Sequence, residues 1–302
     1  MRELWVDTDF GFDDLWALLV LRQFGARLAG ISLVAGNAPL AQVMSNALGA
    51  RRAYGFDAPI YAGADRPLVR EPETAERILG QRGMLSRGQH LPDGKELGHA
   101  VDAQTALQNW LRSAQRGDRR DILAIGPLTN IARLVREAPE LVQTITRLIW
   151  MGGSDGVGNH TPLAEFNALA DPEAAAIVAQ AGISLDVVDL MFCRTVAFGP
   201  DQQPQCDSLT SDLLGGYLDI ALSAGRSKMS IYDPVAALVS CQPEAFMYRR
   251  CDMAVSTTPD ATYGKTTFDE NFNGSTRLVV GTILVAADIC LDALTRENTN
   301  VD

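Results

Sequence analysis

Positive charge is scarce in this chain of 302 residues: 26 Lys and Arg stand against 37 Asp and Glu, a formal net charge of −11. No basic run exceeds two residues. Neutralising phosphates requires clustered Lys and Arg, so this balance argues against nucleic acid as a partner. No apolar run is long enough to span a bilayer, which argues against a membrane location. The opening Met1-Arg2-Glu3 passes straight into a strand pattern without the order of a secretory leader, so a cytoplasmic location is expected. Cys193, Cys206, Cys241, Cys251 and Cys290 are odd in number and form no CxxC pair. Free thiols in a reducing compartment are the simplest reading, and no His adjoins any of them to make a nucleophile. Histidine itself is limited to His90, His99 and His160. Internal repeats and low-complexity tracts are missing too.

What the chain does have is apolar content, 47% of residues, enough to bury a large core. One domain over residues 1–302 is expected. Strand-like and helix-like stretches alternate: strands at 4–6, 28–35, 59–62, 121–125, 148–151 and 183–188, and helices at 15–24, 39–54, 102–114, 207–224 and 286–294, with further helices opening at Gly126-Pro127, Asp171-Pro172-Glu173 and Asp233-Pro234. Asp102, Asp171 and Asp207 read as helix caps, while Pro39, Pro127 and Pro172 suit first helical turns. This pattern predicts an α/β fold with a mostly parallel, Rossmann-like central sheet flanked by helices. Strand-like stretches near 253–256, 262–268 and 276–284 predict extra antiparallel strands in the C-terminal third. The long polar segment 65–101 reads as a functional loop, with 81–94 and 225–230 as lids over a ligand site.

Four carboxylates fall within eight residues at Asp7-Thr8-Asp9-Phe10-Gly11-Phe12-Asp13-Asp14, on a strand-to-helix turn. Asp7 and Asp9 are two apart, which on an extended backbone points them the same way. Gly11 permits a tight turn, and Asp13 and Asp14 meet the positive end of the helix dipole. That dipole is worth about 0.3–1 kcal/mol per carboxylate, too little to offset four crowded acids between apolar segments. A hard divalent cation such as calcium, which takes several carboxylate oxygens, is sufficient. Capping alone uses one or two acids, so it explains only part of the cluster. An aspartyl-phosphatase turn is disfavoured because Gly11 brings no hydroxyl for a phosphate.

This stretch resembles the DxDxGxDD signature of the nucleoside hydrolases, the inosine–uridine-preferring family. Further segments in the same order carry the likeness: Val34-Ala35-Gly36-Asn37, Ile125-Gly126-Pro127-Leu128-Thr129-Asn130, Met151-Gly152-Gly153 to Gly158-Asn159, Ala164-Glu165-Phe166-Asn167, Asp171-Pro172-Glu173 and Tyr232-Asp233-Pro234. The resemblance implies calcium-dependent hydrolysis of a ribonucleoside to base and ribose by a homodimer or homotetramer. It implies Ca2+ held by Asp9, Asp14, the Ile125 carbonyl and Asp233, oxygen ligands that suit this ion. Asp9 becomes the general base, with Asn37 and Tyr232 counted in the catalytic set. Asp13, Asn37, Asn159, Glu165, Asn167 and Asp233 become ribose-binding residues, with Met151 and Phe166 lining the walls. Taken singly, each has a plainer reading: Asn37 and Asn159 as turn residues, Glu165 and Asn167 as a solvated strand face, Phe166 as core, Asp233 as a helix cap.

Two departures bear on the leaving group. Tyr232 stands where many members carry a His before the last calcium-binding Asp, and Ile78-Leu79-Gly80 stands where a second His is usual. An aromatic residue at the first position is shared with purine-preferring members, where it stacks the base, and purine nucleosides are therefore the expected substrates. His160 reads as a solvated loop residue that approaches the base only by chance of folding. The rival readings are a hydrolase of pyrimidine nucleosides or another N-ribosyl compound, and a ribosyl-ligand binding protein with weak turnover.

Overall fold

A computed structural model describes residues 2–94 and 102–295. His99 and the end of the polar segment lie outside the described residues. β1 (Arg2–Thr8), α1 (Phe12–Gln23), β2 (Leu28–Leu33), α2 (Leu40–Tyr54) and β3 (Ile60–Ala62) open the chain. The polar segment carries α3 (Glu76–Leu79) and leads to α4 (Ala103–Arg112) and β4 (Arg119–Ala124). Next come α5 (Thr129–Glu137), β5 (Arg147–Met151), α6 (Phe166–Ala170), α7 (Pro172–Gln180) and β6 (Leu185–Val188). The last third holds α8 (Leu190–Cys193), β7 (Ala197–Phe198), α9 (Ser208–Ser223), β8 (Met229–Ser230) and α10 (Asp233–Cys241). It ends with β9 (Phe246–Val255), β10 (Thr266–Glu270), β11 (Thr276–Thr282) and α11 (Ala286–Asp292). Among the described residues, no helix is long and apolar enough to cross a membrane.

The main sheet has nine strands in the order β10-β9-β11-β6-β5-β4-β1-β2-β3. The run from β3 to β11 is parallel, and β9 lies antiparallel to both β11 and β10. The expected parallel sheet and antiparallel C-terminal strands are both present. Strand alternation sends Leu148 and Trp150 of β5 to one buried cluster with α4, α5 and α7, and Ile149 and Met151 to another with α1, α9 and α10. Both faces are therefore covered, as an all-parallel core requires. Strand order reverses between β1 and β4, and ligands of such sheets bind in the crevice at the strands' carboxyl ends at that point.

The local signals hold where they are self-contained. Asp102, Asp171 and Asp207 cap α4, α7 and α9 by accepting backbone N–H groups of Thr105, Ala174 and Thr210. Two prolines shift outward: Pro39 is the N-cap of α2, and Pro127 precedes α5, which begins at Thr129. The segment 81–94 does not hang over the crevice as a lid. Met84 and Leu91 are buried in the core, and Arg87 pairs with Asp219 of α9 through Nε (2.8 Å) and Nη2 (2.7 Å).

At the amino ends of the strands the buried charges are paired. Arg147 sits 3.4 Å from Asp186 and 3.9 Å from Asp121, both carboxylates fully buried. Arg277 meets Asp186 through two N–H donors at 2.7 Å each and stacks over Tyr248. Arg119 adds a contact to Asp121 at 3.4 Å.

Candidate active site

At the opposite ends of the strands lies a cavity of about 430 Å3, lined on its floor by Asp9, Asp13, Asn37, Ile125, Met151 and Asp233. Asn159, Glu165, Phe166, Asn167 and Tyr232 line its walls. The acids and their partners meet there because β1, β4 and β5 end, and α10 begins, at this edge.

The turn after β1 is held by its own side chains. Thr8 Oγ1 donates to Asp14 Oδ1 and accepts from Phe10 N at 3.1 Å. Gly11 N donates to Asp14 Oδ2 at 2.7 Å. Asn37 N donates to Asp9 Oδ2 at 2.8 Å, and its Nδ2 lies 3.3 Å from Asp14 Oδ2. The expected tight turn at Gly11 is corrected: Gly11 has φ −86, and Phe10 carries the left-handed φ of +42. What Gly11 provides is room, since a Cβ there would sit 2.8 Å from Asn37 Nδ2. A Cβ on Gly36 would overlap the Asp9 carboxylate itself.

Asp7 and Asp9 part company, contrary to the strand alternation expected. β1 ends at Thr8, so Asp9 is free to turn into the cavity. Asp7 Oδ1 instead takes hydrogen bonds from Ser32 Oγ and Asn130 Nδ2 inside the fold. Burial pushes its carboxyl up to about 7.

Oxygen atoms of Asp13, Asp14 and Asp233 all lie within 4.8 Å of one another. Asp14 is buried behind the cavity floor, while Asp9 lines it. Burial, then the Asp14 charge, pushes Asp13 up to about 7, and burial pushes Asp14 up to about 6. Asp9 and Asp233 are driven well above the usual carboxylate range by burial and by the neighbouring acids. Among the described residues no Lys or Arg pairs with any of the four. Buried like charges without a counter-ion are costly, so the donor chemistry, hard oxygens only, fits a bound divalent cation. The Ile125 carbonyl faces the same region, 3.5 Å from Asn167 Nδ2.

Glu165 and Asn167 do not lie on a strand face. Glu165 is the N-cap of α6, accepting from Asn167 N (2.9 Å) and Ala168 N (3.2 Å), and from Gly153 N at 2.8 Å. Burial raises its carboxyl to about 7. Asn167 Nδ2 donates to the Met151 carbonyl at 3.0 Å, tying α6 to the end of β5. Asn159 Oδ1 accepts from Phe166 N at 3.0 Å. Phe166 is a wall of the cavity, its ring 5.3 Å from that of His160.

His160 is also corrected: it is paired, not solvated. Its Nε2 meets Glu73 Oε1, and the ring lines the cavity. Tyr232 is half-buried in the wall, and hydrogen bonds with Ser230 and Arg226 partly oppose the desolvation that raises its hydroxyl. Ile78 and Leu79 of α3 line the wall as apolar groups.

Several participants carried no sequence signal. The Tyr217 hydroxyl lies 3.3 Å from Asp13 Oδ2 and 3.1 Å from the Ser230 carbonyl. Arg226, by contrast, lies in the 225–230 segment expected as a lid, and it lines the cavity from the turn between α9 and β8. Arg194 spends its donors on the Gly158 carbonyl (3.0 Å) and the Val157 carbonyl (3.4 Å), propping the loop that presents Asn159.

A family model described as inosine-uridine preferring nucleoside hydrolase matches residues 4–293. A relative named non-specific ribonucleoside hydrolase RihC, from Shigella boydii serotype 18, is 34% identical over 272 residues, covering 88% of each chain. A protein of the same name from Salmonella typhi is 34% identical over 270 residues, covering 87% of this chain and 86% of the relative. Among solved structures, a plant nucleoside hydrolase superposes with a TM-score of 0.87 at 23% identity, over 98% of this chain and 99% of that one. A purine-preferring ribonucleoside hydrolase from Gardnerella vaginalis gives 0.84 at 21% identity, over 97% and 99%. At those identities the likeness is one of fold.

Proposed function

From the premise that the chain belongs to the inosine–uridine preferring nucleoside hydrolase family, we propose that it hydrolyses the N-glycosidic bond of ribonucleosides, purine ribonucleosides above others, with Ca2+ as cofactor. One observation carries the reading: the buried Asp9, Asp14 and Asp233 and the half-buried Asp13, from the β1–α1 turn and the start of α10, gather at the floor of one cavity without a basic partner.

Asp9, Asp14, Asp233 and the Ile125 carbonyl would hold the cation. When bound, it supplies Lewis acidity that makes a water easier to deprotonate and grips the ribose diol. Asp9 takes the proton from the attacking water; its carboxylate is already oriented by Asn37 N. Asp13, Asn37, Asn159, Glu165 and Asn167 hydrogen-bond the ribose hydroxyls. Met151 and Phe166 close the sugar's surroundings against water. Positive charge develops on the ribose as the base departs, and the surrounding acids stabilise it. At the base end, Tyr232 stacks or donates its hydroxyl, with Arg226 beside it. We read the chain as a single-domain, cytoplasmic homodimer or homotetramer acting on small nucleosides.

A second reading is favoured by Ile78 and Leu79, apolar where a proton donor to the base is usual: a ribosyl-ligand binder with weak turnover. Base release from a panel of purine, pyrimidine and other N-ribosides separates the two, measured with chelator and after Ca2+ is restored. The expected result is purine release that chelation abolishes and Ca2+ recovers. Binding of ribose without turnover of any riboside supports the second reading, and turnover indifferent to chelation overturns the cofactor.

A further inference from the structure

The strained residue of the acid-bearing turn has its anchor outside that turn. Phe10, buried between Asp9 and Gly11, is the one non-glycine among the described residues with a positive φ. A bulky L-residue stays there only when its surroundings over-determine it. Its N–H is satisfied locally by Thr8, but its carbonyl is held by Asn46 Nδ2 of α2 at 3.1 Å. The same nitrogen donates to the Arg82 carbonyl at 2.8 Å. Asn46 Oδ1 is taken by Gln42 Nε2 at 2.8 Å. Asn46 is itself buried, so one of its two donors would be left unsatisfied if either carbonyl moved away.

The Arg82 carbonyl lies three residues beyond α3, the short helix that walls the cavity. Upstream, α3 presents Ile78 and Leu79 to the cavity, and Ala75 N donates to the Gly36 carbonyl at 3.3 Å. Downstream, Gly83 has φ +61 and packs so closely on Ala38 that an added Cβ would sit 2.9 Å from the alanine's. One amide thus bridges the wall and the turn from which Asp9, Asp13 and Asp14 project.

We propose that Asn46 is a positioning residue that couples the docking of the 75–84 wall to the conformation of the acid-bearing turn. The inference rests on the nucleoside hydrolase reading for its kinetic readout only. Both neighbours of Asn46 Nδ2 are acceptors, so the near-isosteric Asn46→Asp replaces two donors by oxygen facing two carbonyls.

The test combines hydrogen–deuterium exchange, a Ca2+ midpoint from thermal shifts, and steady-state kinetics. For Asn46→Asp the expected result is faster exchange in both 8–15 and 75–84, a Ca2+ midpoint at least fivefold weaker, and kcat lowered at least tenfold with a smaller change in KM. Gln42→Ala, which spares both donors, is expected within twofold of wild type on all three. Should Asn46→Asp fold poorly, Gly83→Ala strains the wall without touching Asn46 and is expected to raise exchange in 8–15 as well. A lower Tm with kcat and the Ca2+ midpoint within twofold of wild type makes Asn46 merely structural and overturns the proposal. Exchange changes confined to 75–84 in both variants overturn it equally. If wild type cleaves no riboside, the function reading falls while exchange and the Ca2+ midpoint still decide Asn46.

Discussion

The two ends of the parallel strands handle buried acid in opposite ways. At the amino ends, Asp121 and Asp186 are fully buried and each faces a guanidinium, from Arg119, Arg147 or Arg277. At the carboxyl ends, Asp9, Asp14 and Asp233 are as deeply buried but face one another and Asp13. The first arrangement is complete within the chain. On the proposed reading the second is completed by a ligand, which is how an acid cluster serving a reaction would differ from one serving the fold.

Substitutions at the two ends should therefore fail differently. Asp9→Ala is expected to lower kcat by about 10²–10⁴-fold while some sugar affinity remains. Its metal-free Tm should not fall, because one of four repelling charges is gone. Near-normal turnover in a riboside assay would falsify the assignment of Asp9 as base. Arg147→Met removes one of the two guanidinium partners of Asp121 and of Asp186, leaving Arg119 and Arg277, and should cost about 1.5–3 kcal/mol in urea unfolding. Its kcat at permissive temperature should stay close to wild type; a large loss there would mean the two ends are coupled.

The pH response sharpens the contrast further. Asp13, Asp14 and Glu165 sit at about 7, 6 and 7, above the 3.8 or 4.5 they take when exposed. Folded protein thus holds protons that the unfolded chain has released, and stability contributed below about pH 4 is lost as pH rises towards 7. Metal-free protein should show a falling Tm between pH 5 and about 7.5, and saturating Ca2+ should remove the slope. A Tm that rises over this range without metal would contradict the burial of the cluster. The smallest effect is expected at Tyr232→Phe, about tenfold or less in kcat, since a single hydrogen bond is worth about 0.5–1.5 kcal/mol. A larger drop would assign proton donation to the hydroxyl and leave stacking a minor part.

The sequence disclosed what is local. Asp102, Asp171 and Asp207 announce helix starts because a cap is read within three residues. Alternating units disclosed the parallel sheet, and the ordered short motifs disclosed the acids and the three asparagines that gather at the cavity. What stayed hidden depends on distant partners. Phe10 has a left-handed backbone because α2 holds its carbonyl, and nothing in its neighbours says so. His160 looked solvated because Glu73 lies far off in sequence. Tyr217 reaches Asp13 only through the packing of α9 on α1, and an Asp-to-Tyr contact leaves no pattern in either segment.

Asp233, at the first position of α10, reaches the site from the last third of the chain. A nascent polypeptide leaving the ribosome therefore exposes its first acids long before the carboxylate that joins them exists. On the proposed reading, ion capture would come late, after the most non-local contacts have closed. On the same reading, a molecule clipped before α10 would lose Asp233 together with β9, β10 and β11, so occupancy by the cation would report that synthesis has passed the start of α10.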